Sequence, residues 1–243
     1  MWGQIEGKNK IEIAREVLRS ALESLPEGIH LGLRVYGHRW PRADQRACTD
    51  SELVFPIGPT DRAKMIRHIQ GITPKGRTPL VHSLLQTPQD FKGLSRGTVI
   101  LVSDGIESCD GQLEDVVKGL QGSGLDLTVH VVGFDVRERS SRDELERVAR
   151  AFGGRYFDAG DARKLSESLE RTLRIEYEVL AADGAVVARG LANDEAVTLG
   201  AGAYRLRVLL EPRPVEAPIQ VQSGQQQAFT VSGSQGVWKI EGR

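Results

Sequence analysis

The chain has 243 residues, of which 40% are hydrophobic and 27% charged, and its formal net charge is −1. That length holds one large domain or a mid-sized one with a small one attached, and the composition is that of an ordinary soluble globular protein. Near-neutrality gives no bulk attraction to nucleic acid or to a membrane surface. No apolar run reaches the length of about 18 residues that a membrane span needs.

In chain order, residues 8–25 place Ile11, Ala14, Val17, Leu18, Ala21, Leu22 and Leu25 on one stripe. This is an amphipathic helix, stopped by Pro26 and Gly28. His30 to Tyr36 alternates and is rich in branched residues, which predicts a strand. A polar loop from Gly37 to Ser51 holds Cys48, and Leu53 to Ile57 reads as a short strand whose Pro56 places it near a sheet edge. Thr60-Asp61 opens a helix that runs to about residue 72. The loop Thr73–Pro79 follows, then a helix from Leu80 to about Leu85 with Thr78 at its N-cap and Pro79 at its first position.

Val99 to Val102 is a continuous apolar run, as in a strand buried on both faces of a parallel sheet. It belongs to a strand over Thr98–Ser103 that ends on Asp104-Gly105. A helix around Leu113–Leu120 is closed by Gly122 and Gly124. Leu125 to Phe134 is a strand, Ser141 to Phe152 a helix ended by Gly153-Gly154, Arg155–Phe157 a short strand and Ala162–Leu173 a helix. Strands alternating with helices indicate βαβ units, hence an α/β, doubly wound, mostly parallel sheet over residues 1–174. Beyond that point the pattern changes to short alternating segments: 175–180, 186–189, 196–199, 204–210, 219–221, 227–231 and 237–240. These predict a small antiparallel β-sandwich over residues 175–243.

Few residues stand out chemically. Asp104, at the carboxyl end of a strand, lies where open α/β sheets gather ligands, although Ser-Asp-Gly also reads as a plain turn. The Thr78 hydroxyl suits a helix cap and, equally, a hard cation. Ser83, His82 and Asp104 do not make a nucleophilic triad, because no G-x-S-x-G elbow follows a strand and adjacent helical residues do not face each other. His130 lies inside an apolar strand and reads as a core histidine. Gly119, Gly122 and Gly124 follow a helix, not a strand, so they are no phosphate loop. Asp143-Glu144 fits a solvated helix start. Cys48 and Cys109 lie too far apart for a C-x-x-C metal framework and are either two reduced thiols or one long-range disulfide. Residues 1–8 do not read as a secretory signal. The terminal Ile240-Glu-Gly-Arg243 reads equally as a protease-cleavage tag or as a natural strand end.

Several stretches together resemble a bacterial von Willebrand factor A domain. They are Met1–Lys8 with Lys10–Leu18, Leu31-Gly-Leu-x-x-Tyr-Gly-His38, Thr73–Leu80, Val99–Cys109, Val129–Phe134 and Gly153–Phe157. The resemblance covers residues 1–174; the C-terminal part is similar only to generic Ig-like or carboxypeptidase-regulatory-like modules. It implies a metal-ion-dependent adhesion site, with Mg²⁺ bound by oxygen ligands among which Thr78 and Asp104 would stand. It also implies that a Cys48–Cys109 disulfide would pin two site loops and point to a periplasmic or extracellular setting.

The chain departs from the family at its start. Family members read Asp-x-Ser-Gly-Ser-Met-Trp-Gly, and this chain begins at the Met, so the first, central strand and three metal ligands are missing. Neighbouring strands lie about 4.8 Å apart, so the loss leaves a gap of about 10 Å between residues 30–36 and 98–103. A fragment or misassigned start, a strand donated by a partner, and a sheet closed over the gap are the three readings. The expected function is a non-enzymatic module that binds an unidentified protein ligand through the loops at the top of the sheet, with Mg²⁺ needed only if the site is completed. A regulatory subunit of a chelatase or AAA-ATPase assembly and a metal-independent envelope protein are the rival expectations.

Overall fold

The computed structural model describes residues 1, 3–25, 29–59, 61–172, 175–192, 196–210, 214–234 and 237–242. The chain divides into two compact units, Met1–Ser24 with Leu31–Thr172, and Leu25–His30 with Leu173–Arg243.

The first unit opens with a hairpin that the sequence reading did not anticipate, β1 (Gln4–Ile5) and β2 (Lys8–Asn9). Its turn uses positive φ at Glu6 and Gly7, the conformation that tight two-residue hairpins require. Helix α1 (Lys10–Ser24) follows, buried on the stripe Ile13, Ala14, Val17, Ala21 and Leu22. Pro26 and Gly28, the expected stop, lie outside the described residues, as does Thr60. Then come β3 (His30–Tyr36), a 3₁₀ turn at Gln45–Thr49 and β4 (Ser51–Pro59). Helix α2 (Arg62–Gly71) is capped by the Asp61 carboxylate, which accepts from the Lys64 amide.

Helix α3 (Leu80–Asp90) runs past the expected end because of one hydroxyl. Pro88 lacks the N–H that would bond the Leu84 carbonyl. The Thr87 hydroxyl donates to that carbonyl instead, at 2.7 Å. Next are β5 (Arg96–Ser103), α4 (Leu113–Gln121), β6 (Asp126–Phe134), α5 (Arg139–Ala151), β7 (Tyr156–Ala159) and α6 (Ala162–Thr172).

Strands β5, β6 and β7 form one parallel sheet, paired from Arg96↔Asp126 to Ser103↔Gly133 and from Val131↔Tyr156 to Phe134↔Ala159. Side chains alternate between its faces. On one face, Leu101, Leu127, Val129 and Val131 pack with Leu80, Leu84, Val116, Leu120, Leu145 and Val148 of α3, α4 and α5. Helix α6 packs on β6 and β7, and α1 packs on α6. Each buried Val or Leu contributes about 1.5–3 kcal/mol, so this layered core holds the unit together.

β3 and β4 form a separate two-stranded sheet, and no ladder joins β3 to β5 among the described residues. The parallel βαβ part of the expectation holds for β5 to β7.

The second unit holds β8 (Glu176–Leu180), β9 (Val186–Leu191), β10 (Gly202–Val208), β11 (Val215–Val221), β12 (Phe229–Ser234) and β13 (Val237–Gly242). An antiparallel sheet in the order β11-β10-β8-β9 and a β12–β13 hairpin enclose Val179, Leu206, Val208, Leu210 and Ile219, with Phe229, Val231 and Ile240 packed against them. Residues 196–199, expected as a strand, carry no ladder. Short alternation beside the turn at Gly200-Ala-Gly202 was not enough to recruit a partner.

Candidate functional site

The carboxyl ends of β3, β5 and β6 each lead into a loop, and the loops after β3 and β5 are fastened to a third, at residues 72–79. Gly37 is the hub. Its φ of +65° is reached easily only without a side chain, and a Cβ there would collide with the Arg77 carbonyl. Its own carbonyl accepts from the amides of Lys75 and Gly76 at 2.9 and 3.0 Å. Arg77 extends the link, donating to the Arg42 carbonyl at 3.2 Å and to the Ser108 carbonyl at 2.8 Å.

Within the 37–50 loop, Asp50 is fully buried and accepts from the Arg39 and Trp40 amides and from the Arg39 guanidinium. Burial alone would raise its carboxyl, but these hydrogen bonds outweigh it and hold the pKa below the ordinary value. The Arg46 guanidinium lies 3.4 Å over the Trp40 ring, a cation–π contact.

A disulfide joins Cys48 to Cys109. It ties the loop after β3 directly to the loop after β5.

Thr78 sits where the 72–79 and 104–112 loops meet. Its amide donates to Ser108 Oγ at 2.6 Å, and its carbonyl accepts from the Ser108 amide at 3.2 Å. The expected cap is corrected: Pro79 occupies the N-cap of α3 and supplies no side-chain bond. The Val81 amide is met instead by Glu107 Oε2 at 2.7 Å, while Glu107 Oε1 accepts from the Cys109 amide. A carboxylate at a helix N-terminus suits the helix dipole. It also frees the Thr78 hydroxyl from capping.

Asp104 follows β5 and is the most crowded of the expected site residues. Its Oδ2 contacts the Met1 nitrogen and lies 3.8 Å from Lys10 Nζ. The same ammonium stands 3.0 Å from Asp135 Oδ2 at the end of β6. Burial pushes Asp135 up, but Arg137 and Lys10 hold it below the usual carboxylate range.

Tyr36, from the end of β3, completes the group by donating to the Val102 carbonyl of β5 at 2.8 Å. Burial pushes its phenol up, Ser103 pulls it back, and the charges of Asp104 and Glu107 push it further up. These neighbours place the phenol beside the Asp104 loop.

Of the residues singled out in the sequence, Cys48 and Cys109 are joined as a disulfide, and Thr78 and Asp104 lie in this region in contact with Ser108 and Lys10; sequence reasoning did not single out Lys10, Tyr36, Glu107, Ser108 or Asp135. A lysine at the first position of a helix is unfavourable against the dipole, but the sequence reading began this helix at residue 8, and only the structure puts Lys10 at its start. Nothing in the local sequence marks Asp135. Tyr36, Glu107 and Ser108 stood inside the stretches that carried the resemblance, without a role.

His82 and Ser83 do not join this group; the Ser83 hydroxyl bonds the Pro79 carbonyl inside α3. His130 is half-buried on β6, where Nδ1 accepts from the Arg155 amide at 3.2 Å.

The fit to Mg²⁺ follows from the donors. Mg²⁺ takes near-octahedral oxygen ligands at about 2.0–2.1 Å. Thr78 and Asp104 offer two, one of them already facing two nitrogens. Among the described residues no three His, Cys, Asp or Glu side chains are placed to share a metal. The two residues do not by themselves fit the ion.

No family model matches the chain. It is 28% identical over 171 residues to Uncharacterized protein YwmD of Bacillus subtilis (strain 168), covering 68% of this chain and 76% of that protein. It is also 28% identical over 162 residues to Uncharacterized protein YwmC of the same organism, covering 64% and 70%. Among solved structures it is similar to a von Willebrand factor type A protein from Catenulispora acidiphila, with a TM-score of 0.56 and 16% identity. That likeness covers 95% of this chain and 60% of the other, and the fold is accordingly of von Willebrand factor A type. No helix among the described residues is long and apolar enough to cross a membrane.

Proposed function

We propose that the protein is a non-enzymatic interaction module that docks a protein ligand on the fastened loops at 37–50, 72–79 and 104–112. The observation that carries this reading is their cross-linking by Gly37, Arg77, Ser108 and the Cys48–Cys109 disulfide. Loops fixed before binding lose little entropy on binding, and a rigid scaffold presenting loops is a common arrangement for recognition. The disulfide also supports a periplasmic or extracellular setting, where such bonds persist.

The reading extends to the sheet. Among the described residues no ladder joins β3 to β5, the Tyr36 hydroxyl at the end of β3 donates to the Val102 carbonyl of β5, and open strand edges invite pairing. We infer that an added strand completes the sheet between them, and that Mg²⁺ dependence belongs only to a site so completed.

The test is a photo-crosslinking amino acid placed at Arg42 or Lys75, both exposed on these loops, with Arg96 at the far end of β5 as control. In cells of the source organism, discrete adducts are expected from positions 42 and 75 and not from 96. Equal adducts from all three, or none, would overturn the docking surface.

A further inference from the structure

The loops at 37–50 and 72–79 carry Arg39, Arg42, Arg46, Lys75 and Arg77 against two carboxylates, Asp44 and Asp50. Both carboxylates are already taken. Asp44 pairs with Arg46 at 2.8 Å, and buried Asp50 pairs with Arg39 at 2.7 Å. Arg42, Lys75 and Arg77 form no ion pair among the described residues, and Arg42 and Lys75 are exposed. Like charges gathered on one face repel, so the surplus is a cost to the free chain.

The fold brings the three together. The Arg42 carbonyl accepts from Arg77 Nε at 3.2 Å, and the Gly37 carbonyl accepts from the Lys75 amide at 2.9 Å. Trp40 joins them, because a Cβ at Gly76, between Lys75 and Arg77, would collide with the Trp40 carbonyl. The Trp40 ring is half-buried and carries Arg46 on one face. Arg77 is held most firmly. Its Nε and one terminal nitrogen are spent on the carbonyls of Arg42 and Ser108, so the guanidinium is fixed without a carboxylate. A planar fork fixed in advance suits a carboxylate from outside, since little side-chain freedom is lost on pairing.

We propose that the ligand of these loops is a polypeptide segment whose Asp or Glu side chains pair with Arg42, Lys75 and Arg77 beside Trp40. This ligand chemistry rests on the docking reading of the same loops. A polypeptide fits better than a polyanionic surface for two reasons. The whole chain has a net charge of −1, so nothing beyond the loops draws it to a membrane or to nucleic acid. Trp and Arg side by side are also the side chains that anchor protein interfaces. Exposed Asp110 in the 104–112 loop has the opposite sign, which confines the acidic segment to the 37–50 and 72–79 side.

The experiment follows amide shifts of the full chain during titration with a peptide of alternating Glu and Leu, its Lys–Leu counterpart, and phosphatidylglycerol vesicles. The Glu peptide is expected to give saturable shifts at Trp40, Arg42, Lys75 and Arg77, and the Lys peptide none there. Arg42→Glu/Lys75→Glu should weaken binding at least about tenfold, and the matched reversal Arg19→Glu/Arg147→Glu on α1 and α5 less than about twofold. All four side chains are exposed or free of ion pairs, and circular dichroism checks the fold.

A Glu peptide that gives no saturable shift would overturn the proposal, as would equal weakening by the two double variants, which bulk charge alone explains. Vesicle binding through these residues in place of the peptide would assign the patch to a phosphate-bearing surface and overturn it too. A photo-crosslinking amino acid at Ala43, exposed in the same loop, separates these failures from failure of the docking reading. In cells of the source organism, adducts lost in the Arg42→Glu/Lys75→Glu background support an acidic ligand. Adducts that persist there overturn it while the docking surface stands, and no adducts in either background overturn the docking surface itself.

Discussion

Strands β5 and β6 carry nearly interchangeable apolar runs, Val99-Ile-Leu-Val102 and Val129-His-Val-Val132, yet the structure treats them differently. β6 has a ladder on each side, and Val129, Val131 and Val132 are fully buried. Among the described residues β5 has a ladder on one side only, and Val99, Ile100 and Val102 are left half-buried. β3, whose Tyr36 hydroxyl reaches the Val102 carbonyl of β5, shows the same partial burial. An apolar run records the burial a strand is suited to, whereas the burial it obtains depends on its neighbours. The composition of β5 is that of a central strand in an edge position.

The sharpest way to break this comparison is to put a charge into each run. Val132→Asp buries an unpaired carboxylate in a closed core and should cost more than about 4 kcal/mol, enough to unfold the unit. Val102→Asp, on the half-buried strand, should cost less than half as much, because water at the open edge solvates the charge. Urea unfolding of the two variants measures the difference. Equal losses would mean that β5 is as enclosed as β6, and the open edge would be dismissed.

Much of this was legible in the chain itself. Periodicity placed the six helices of the first unit because their stripes are long and face one way, and the run at Val99–Val102 marked a parallel strand. Partnership was less legible. Residues 196–199 alternate as well as any strand of the second unit, but alternation does not say whether a partner is there. The end of α3 was hidden for another reason: Pro88 looks like a stop, and only the geometry shows the Thr87 hydroxyl taking its place. For the site, side chains within the recognisable loops were visible. Lys10 and Asp135 come from positions 125 residues apart, and only folding brings them together.

With no ladder between β3 and β5, the boundary is held at its carboxyl end by the fastened loops. The Cys48–Cys109 bond spans it, closing a separation of 61 residues. Cross-linking a loop of that size restricts the unfolded chain and stabilises by about 2–4 kcal/mol. The double variant Cys48→Ala/Cys109→Ala should therefore lower the urea midpoint, with faster hydrogen exchange concentrated in β3, β4 and the 37–50 loop. The β5–β6 seam, which has its own ladder, should keep its protection. Uniform loss of protection over all five strands would show that the boundary is no weaker than the seam.

The smallest effect is expected from a hydrogen bond that crosses the boundary between the strands themselves. The Tyr36 hydroxyl donates to the Val102 carbonyl at 2.8 Å, meeting an acceptor that a neighbouring strand would otherwise satisfy. Tyr36→Phe keeps the ring in the core and removes only the donor, so it should cost about 1 kcal/mol. The loss should be smaller than for an enclosed acceptor, since the open edge lets water reach the carbonyl. The effect also carries a signature that distinguishes it from simple repacking. Amide exchange at Ser103 and Asp104 should quicken, because the freed carbonyl loosens the last turn of β5, while exchange at Val131 and Val132 stays unchanged. A strand added to the slot would take over that carbonyl, and the cost of Tyr36→Phe would then shrink toward zero in the completed sheet.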